Sequence, residues 1–127
     1  MIAALSEKTS ALCLALARKA KENGTLVSFD LNYRASFWVN REKELRAAFT
    51  EIASLSDILV GNEEDFQLAL GIDGPEAGGK DLLAKTDAFR GMIDRVRTVF
   101  PNASVFATTL REVESANSHL WGAVMLY

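Results

Sequence analysis

Three short apolar, partly β-branched runs separated by amphipathic stretches constrain this chain more than any other feature. They are Thr25–Leu31, Ile58–Val60 and Ser104–Leu110. Buried strands alternating with amphipathic helices build a mostly parallel α/β sheet packed in layers. The helical stretches carry their own boundary signals. Ser6 can cap a helix running to about Asn23, with Leu5, Leu12, Leu16 and Ala20 at helical spacing and Gly24 placed to end it. Asn40 reads as the cap of a second helix reaching about Ser54, with Leu45, Ala48, Phe49 and Ile52 on one face. Asn62 caps a third, stopped by Gly71, whose first turn holds Glu63, Glu64 and Asp65 against the positive end of the helix dipole. A fourth is predicted over Asp87–Phe100, with Phe89, Met92, Ile93, Val96, Val99 and Phe100 inward and Pro101 ending it. Asn32–Asn40 and the Gly-rich Asp73–Asp81 read as loops. Glu112–Ser118 reads as a polar turn. Leu120–Tyr127 reads as a fourth strand antiparallel to the third, closing a C-terminal β-hairpin.

Composition narrows the function classes. The 127 residues suffice for one core, and 49% are hydrophobic, which excludes disorder. The net charge is -3 and no Lys/Arg run stands out, so nothing supports binding to nucleic acid or to an anionic membrane. Cys13 is the only cysteine, which rules out an internal disulfide and a Cys-based metal cluster and suits a cytoplasmic setting. It lies in the apolar run Ala11–Ala17, where a packing role is expected. Glu7, Lys8, Arg18 and Lys19 flank that run too closely for a signal peptide. No stretch is long enough to span a bilayer. The last strand runs straight to Tyr127, so residues 1–127 read as a single partial α/β domain.

Ligands of open α/β sheets bind outside the carboxyl ends of the strands. Each predicted strand ends in polar residues. Asp30, Asn32 and Arg34 follow the first, Asn62, Glu63, Glu64 and Asp65 the second, and Thr108, Thr109, Arg111 and Glu112 the third. Parallel strands would bring these clusters to one rim suited to anionic groups and to Mg2+. Each cluster also has a plainer account. D-x-N-x-R can be an Asx-type turn with Arg34 on the surface. N-x-x-[DE] is an ordinary helix cap. Thr109–Glu112 can be the polar tip of a hairpin. His119 has no metal-ligand partner at a useful spacing, and Trp38 and Trp121 read as packing residues. Neither G-x-x-x-x-G-K-[ST] nor G-x-G-x-x-G occurs.

Taken together and in order, FDLNYR (Phe29–Arg34), GNEED (Gly61–Asp65) and TLREVESANSHLW (Thr109–Trp121) resemble the central part of the ribokinase-like (PfkB) sugar kinases, and within them the 2-keto-3-deoxygluconate kinase branch. The resemblance implies a partial ribokinase-like three-layer fold. It also implies a parent activity that passes the ATP γ-phosphate to a hydroxyl of an acidic keto-sugar with Mg2+. By the same resemblance Arg34 and Tyr33 face the sugar acid, Arg34 its carboxylate. Asn32, Asn62, Thr109 and Arg111 lie toward nucleotide and phosphate, and Asp65 toward Mg2+. Asp65 stands where the family carries Glu, which shortens its reach, and Arg111 replaces a common glycine. The family's catalytic Asp lies in a G-A-G-D motif that this sequence does not contain, and the N-terminal lid and C-terminal catalytic segment have no counterpart either. The chain alone is thus expected to be inactive. Two other readings stay open. One is a non-catalytic binding module that self-associates into a homo-oligomer through exposed sheet edges. The other is a receiver-type signalling domain using Asp30, which lacks the second acidic pair such a pocket needs.

Overall fold

The computed structural model describes residues 2–74 and 82–127. Pro75–Asp81 of the predicted Gly-rich loop lie outside the described residues. After a 3-10 turn at Ile2–Ala4 come helix α1 (Glu7–Glu22), strand β1 (Ser28–Asp30), the one-turn helix α2 (Ala35–Trp38), α3 (Glu42–Ser54), β2 (Ile58–Val60), α4 (Glu63–Leu70), α5 (Leu82–Val99), β3 (Val105–Ser115) and β4 (Ser118–Leu126). The sheet has the order β1-β2-β3-β4. The first three strands are parallel and the last pair antiparallel, as the sequence predicts.

Phe29, Leu59 and Phe106 fall in one register row across the three parallel strands. They face the helices. Phe49 of α3 packs its ring 5.2 Å from Phe29, Phe66 of α4 lies 6.1 Å from Phe89 of α5, and Arg97 of α5 covers the Phe106 ring at 5.6 Å. One core results, with Leu45, Phe49, Leu59, Phe66, Phe89 and Phe106 fully buried. On the opposite face of the sheet Ile58, Val60, Val105 and Ala107 are half-buried, and Ser28 and Asp30 are exposed. Of the three layers implied by the resemblance, the described residues supply the sheet and one helical layer.

The cap signals act as predicted at Ser6, Gly24, Asn62 and Gly71. Ser6 accepts the Thr9 N–H while Thr9 Oγ1 accepts the Ser6 N–H, a capping box for α1. Gly24 follows α1 and Gly71 follows α4 in the left-handed region, at φ +66° and +72°. Asn40 corrects its prediction. It takes the left-handed conformation itself, φ +61°, so α3 starts later, with Arg41 at its cap position. The stripe on α1 is also corrected. Leu5, Leu12 and Leu16 are exposed, and Ser10 and Ala17 are the residues α1 buries. Leu16, Ala20 and the half-buried Cys13 instead line an apolar groove of about 570 Å³ between α1 and the edge strand β1. Helix α5 begins before Asp87, and Val99 faces outward at its end. The turn expected at Glu112–Ser118 shrinks to Ala116–Asn117, because cross-strand pairing continues through Glu112↔Leu120 and Val113↔His119. The hairpin therefore stands out from the sheet as an arm.

Candidate functional site

Past Asp30, β1 makes one more ladder bond, Leu31 N–H to Val60 C=O at 2.9 Å. Asn32 then turns the chain at φ +40°, a region asparagine tolerates better than most residues. This turn sends Asn32–Arg34 across the end of the sheet. At the end of β2, Gly61 leads into the cap of α4. A Cβ on Gly61 would stand 3.0 Å from Asp65 Cβ and 3.2 Å from Leu31 Cδ1, so glycine lets the two strand ends close up. Asn62 Oδ1 accepts the Asp65 N–H at 2.8 Å, and Asp65 Oδ2 accepts the Asn62 N–H at 2.8 Å. In β3 alternation buries Thr108 and Leu110 and exposes Thr109 and Arg111.

The ends of β1 and β2 and the part of β3 beyond its pairing with β2 enclose a cleft of about 480 Å³. Asp30, Asn32 and Arg34 form one wall, Asn62 to Asp65 a second, and Thr109 and Arg111 a third. Trp121 completes the third wall. It lies directly across the hairpin from Arg111, whose guanidinium sits 5.7 Å from its ring centre. Trp121 is 64% exposed, a packing residue by sequence but a cleft residue in place. The antiparallel register was the signal that would have placed it there. Tyr33 does not line the cleft. Its ring packs 5.0 Å from that of Trp38, at the edge of the core.

The cleft carries the carboxylates of Asp30, Glu63, Glu64 and Asp65 and the guanidinium groups of Arg34 and Arg111. Arg34 is exposed, and its Nη1 donates to Tyr33 C=O at 2.8 Å, which leans the guanidinium back along its own loop. Asp65 is 6% exposed. Burial pushes its carboxyl above the usual aspartate value, and nearby Asp30 adds to that. The Asn62 and Tyr33 N–H groups and Arg34 pull the other way. Both Asp65 oxygens accept a backbone N–H, Oδ1 from Tyr33 and Oδ2 from Asn62. Among the described residues no group of three or more His, Cys, Asp or Glu could hold a metal ion. Among the described residues no helix is long and apolar enough to cross a membrane.

No protein-family model matches this chain. It is 39% identical over 69 residues to a 5-dehydro-2-deoxygluconokinase of Clostridium perfringens, a match covering 54% of this chain and 20% of that one. Among solved structures it resembles a 2-dehydro-3-deoxygluconokinase of Thermotoga maritima with a TM-score of 0.79 and 28% identity, over 97% of this chain and 34% of the other. A PfkB family carbohydrate kinase of Listeria grayi gives a TM-score of 0.74 at 27% identity, over 98% and 34%. The resemblance carried by the three motifs is borne out in sequence and in fold. The chain is related to the PfkB carbohydrate kinases, and it spans about a third of the length of the solved kinases it matches.

Proposed function

We propose that this chain supplies the anion-binding rim of an ATP-dependent kinase acting on 2-keto-3-deoxygluconate or a similar acidic keto-sugar, and that it transfers no phosphate alone. The observation that carries this reading is the convergence of Arg34, Thr109 and Arg111 on one cleft at the carboxyl ends of parallel strands. Arg34 presents a planar fork that matches a carboxylate. Thr109 offers a hydroxyl, and Arg111 a guanidinium backed by Trp121, to a phosphate group. Phosphoryl transfer also needs a base to take the proton of the attacking hydroxyl. The Asp that serves in the family's G-A-G-D motif has no counterpart among these residues.

The test is isothermal titration of the 127-residue chain with 2-keto-3-deoxygluconate, then with ATP and Mg2+, with glucose as an uncharged control. Binding of the sugar acid but not of glucose is expected. Arg34→Ala should weaken it about 10- to 100-fold, the range of one charge-assisted hydrogen bond of about 1.5–3 kcal/mol. Equal binding by wild type and Arg34→Ala would refute the assignment.

A second reading has its own observation. The apolar groove lies beside the open edge of β1, and Leu16 and Leu26 there are 60% and 73% exposed. A self-assembling module would use this edge. Light scattering across a concentration series, repeated with Leu26→Lys, separates the two. Assembly that Leu26→Lys abolishes, in a chain that binds no sugar acid, favours the second reading.

A further inference from the structure

We propose that Asp65 is a positioning residue, whose carboxylate clamps the Arg34-bearing loop to the start of α4 and thereby sets the geometry of the cleft. One oxygen serves the helix cap, accepting the Asn62 N–H at 2.8 Å. The other reaches a different segment and accepts the Tyr33 N–H at 2.7 Å, across 32 positions of sequence. A cap requires only the first of these bonds. The comparison with α1 makes this plain, for there Thr9 completes the same box with a single hydroxyl.

The second bond sits where it matters. Leu31 makes the last ladder bond of β1, Asn32 turns the chain, and Tyr33 N–H is the next backbone group held. Arg34 follows at once, with its guanidinium resting on Tyr33 C=O. The root of the loop is thus fixed by one oxygen of Asp65, and Gly61 leaves open the space beside that side chain which a Cβ would crowd. Buried to 6% exposure, the side chain has little room to rotate. The charged groups around it are Asp30, Glu63, Glu64, Arg34 and Arg111, all lining the same cleft. A shorter carboxylate than glutamate suits this task, because it must reach two backbone amides rather than extend into the cleft.

The part of this inference that concerns sugar affinity rests on the function proposed above; the part that concerns loop order does not. The experiment compares wild type, Asp65→Thr, Arg34→Ala and the double variant by amide hydrogen exchange and by titration with 2-keto-3-deoxygluconate. Asp65→Thr keeps a capping oxygen, as in α1, and removes the one that holds Tyr33. The expected result is wild-type protection at Asn62 and at least 10-fold faster exchange at Tyr33. Sugar-acid affinity should fall about 10-fold in Asp65→Thr, and the double variant should bind no more weakly than Arg34→Ala. Wild-type exchange at Tyr33 in Asp65→Thr overturns the clamp. Additive losses in the double variant overturn its action through Arg34. A wild type that binds no sugar acid defeats the proposed function, while exchange at Tyr33 still decides the clamp. Should Asp65→Thr fail to fold, Asp65→Asn replaces it. With one acceptor left, one of the two amides must lose protection, and retention of both overturns the proposal.

Discussion

Asp57→Ala tests how the sheet is held together, because Asp57 joins four elements at the amino end of the strands. Its Oδ1 accepts the Lys21 ammonium near the end of α1 at 2.7 Å, and its Oδ2 accepts the Val27 N–H ahead of β1 at 2.8 Å. Its N–H donates to Val27 C=O at 2.9 Å. Its C=O accepts the Ser104 and Val105 N–H groups at 2.9 and 3.2 Å. Truncation leaves the backbone bonds and removes the carboxylate ones. A hydrogen bond to a charged group contributes about 1.5–3 kcal/mol. The Lys21 pair, whose side chains are 36% and 17% exposed, adds about 0.2–1 kcal/mol. The expected loss near pH 7 is about 2–4 kcal/mol, a large part of a typical stability of about 5–15 kcal/mol. The Lys21 ammonium and then the Val27 N–H hold the Asp57 carboxyl below its ordinary value of 3.8. With the folded pKa depressed, the contribution is present above the unfolded value and is lost as pH falls through the folded one. Urea unfolding of wild type and Asp57→Ala should therefore differ by about 2–4 kcal/mol at pH 7, and the gap should narrow steadily below that ordinary value. Lys21→Met should cost less than about 1 kcal/mol. A gap under about 0.5 kcal/mol at pH 7, or one unchanged by acid, would refute this account of the junction.

Gly71→Ala should lower stability by about 1–2 kcal/mol in the same assay, because a side chain at φ +72° is strained and its Cβ would run into the Arg46 guanidinium that donates to Leu68 C=O. Phe49→Ala, which opens a cavity between Phe29 and Trp38, should cost about 3–5 kcal/mol. Leu12→Gln on the exposed stripe of α1 should change stability by less than about 0.5 kcal/mol, and a loss near that of Phe49 would contradict its exposure.

The elements of this fold were legible where local physics decides them. Ser6 and Asn62 are followed three residues later by a side chain that can return the hydrogen bond, so their helices announce themselves. Gly24 and Gly71 mark ends that only a residue tolerant of positive φ accepts easily. Asn40 misled because asparagine serves equally as a helix cap and as a left-handed turn residue, and here the turn wins. Leu12 and Leu16 misled for a different reason. Periodicity identifies an apolar face but not what covers it, and here Leu12 stays exposed while Leu16 opens onto the groove beside β1.

The candidate site divides along the same line. Most of its membership was legible, since parallel strands carry their following residues to one edge, and the residues after β1 and β2 meet those of β3 beyond its parallel-paired part in the cleft. Its wiring was not. Tyr33 was placed at the sugar by resemblance; in the fold its ring packs on Trp38 and its backbone N–H donates to Asp65. Asp65 itself carries a complete local explanation as a helix-cap residue, and a complete local explanation hides any second role. What exposes that role is a bond to a segment 32 positions away, a distance at which sequence spacing carries no geometric information. Trp121 was hidden in the same way, since its partnership with Arg111 follows from the hairpin register and not from either neighbourhood in the chain. A rim built from strand ends is thus visible in the order of motifs, while the contacts that hold each side chain in that rim belong to the tertiary structure.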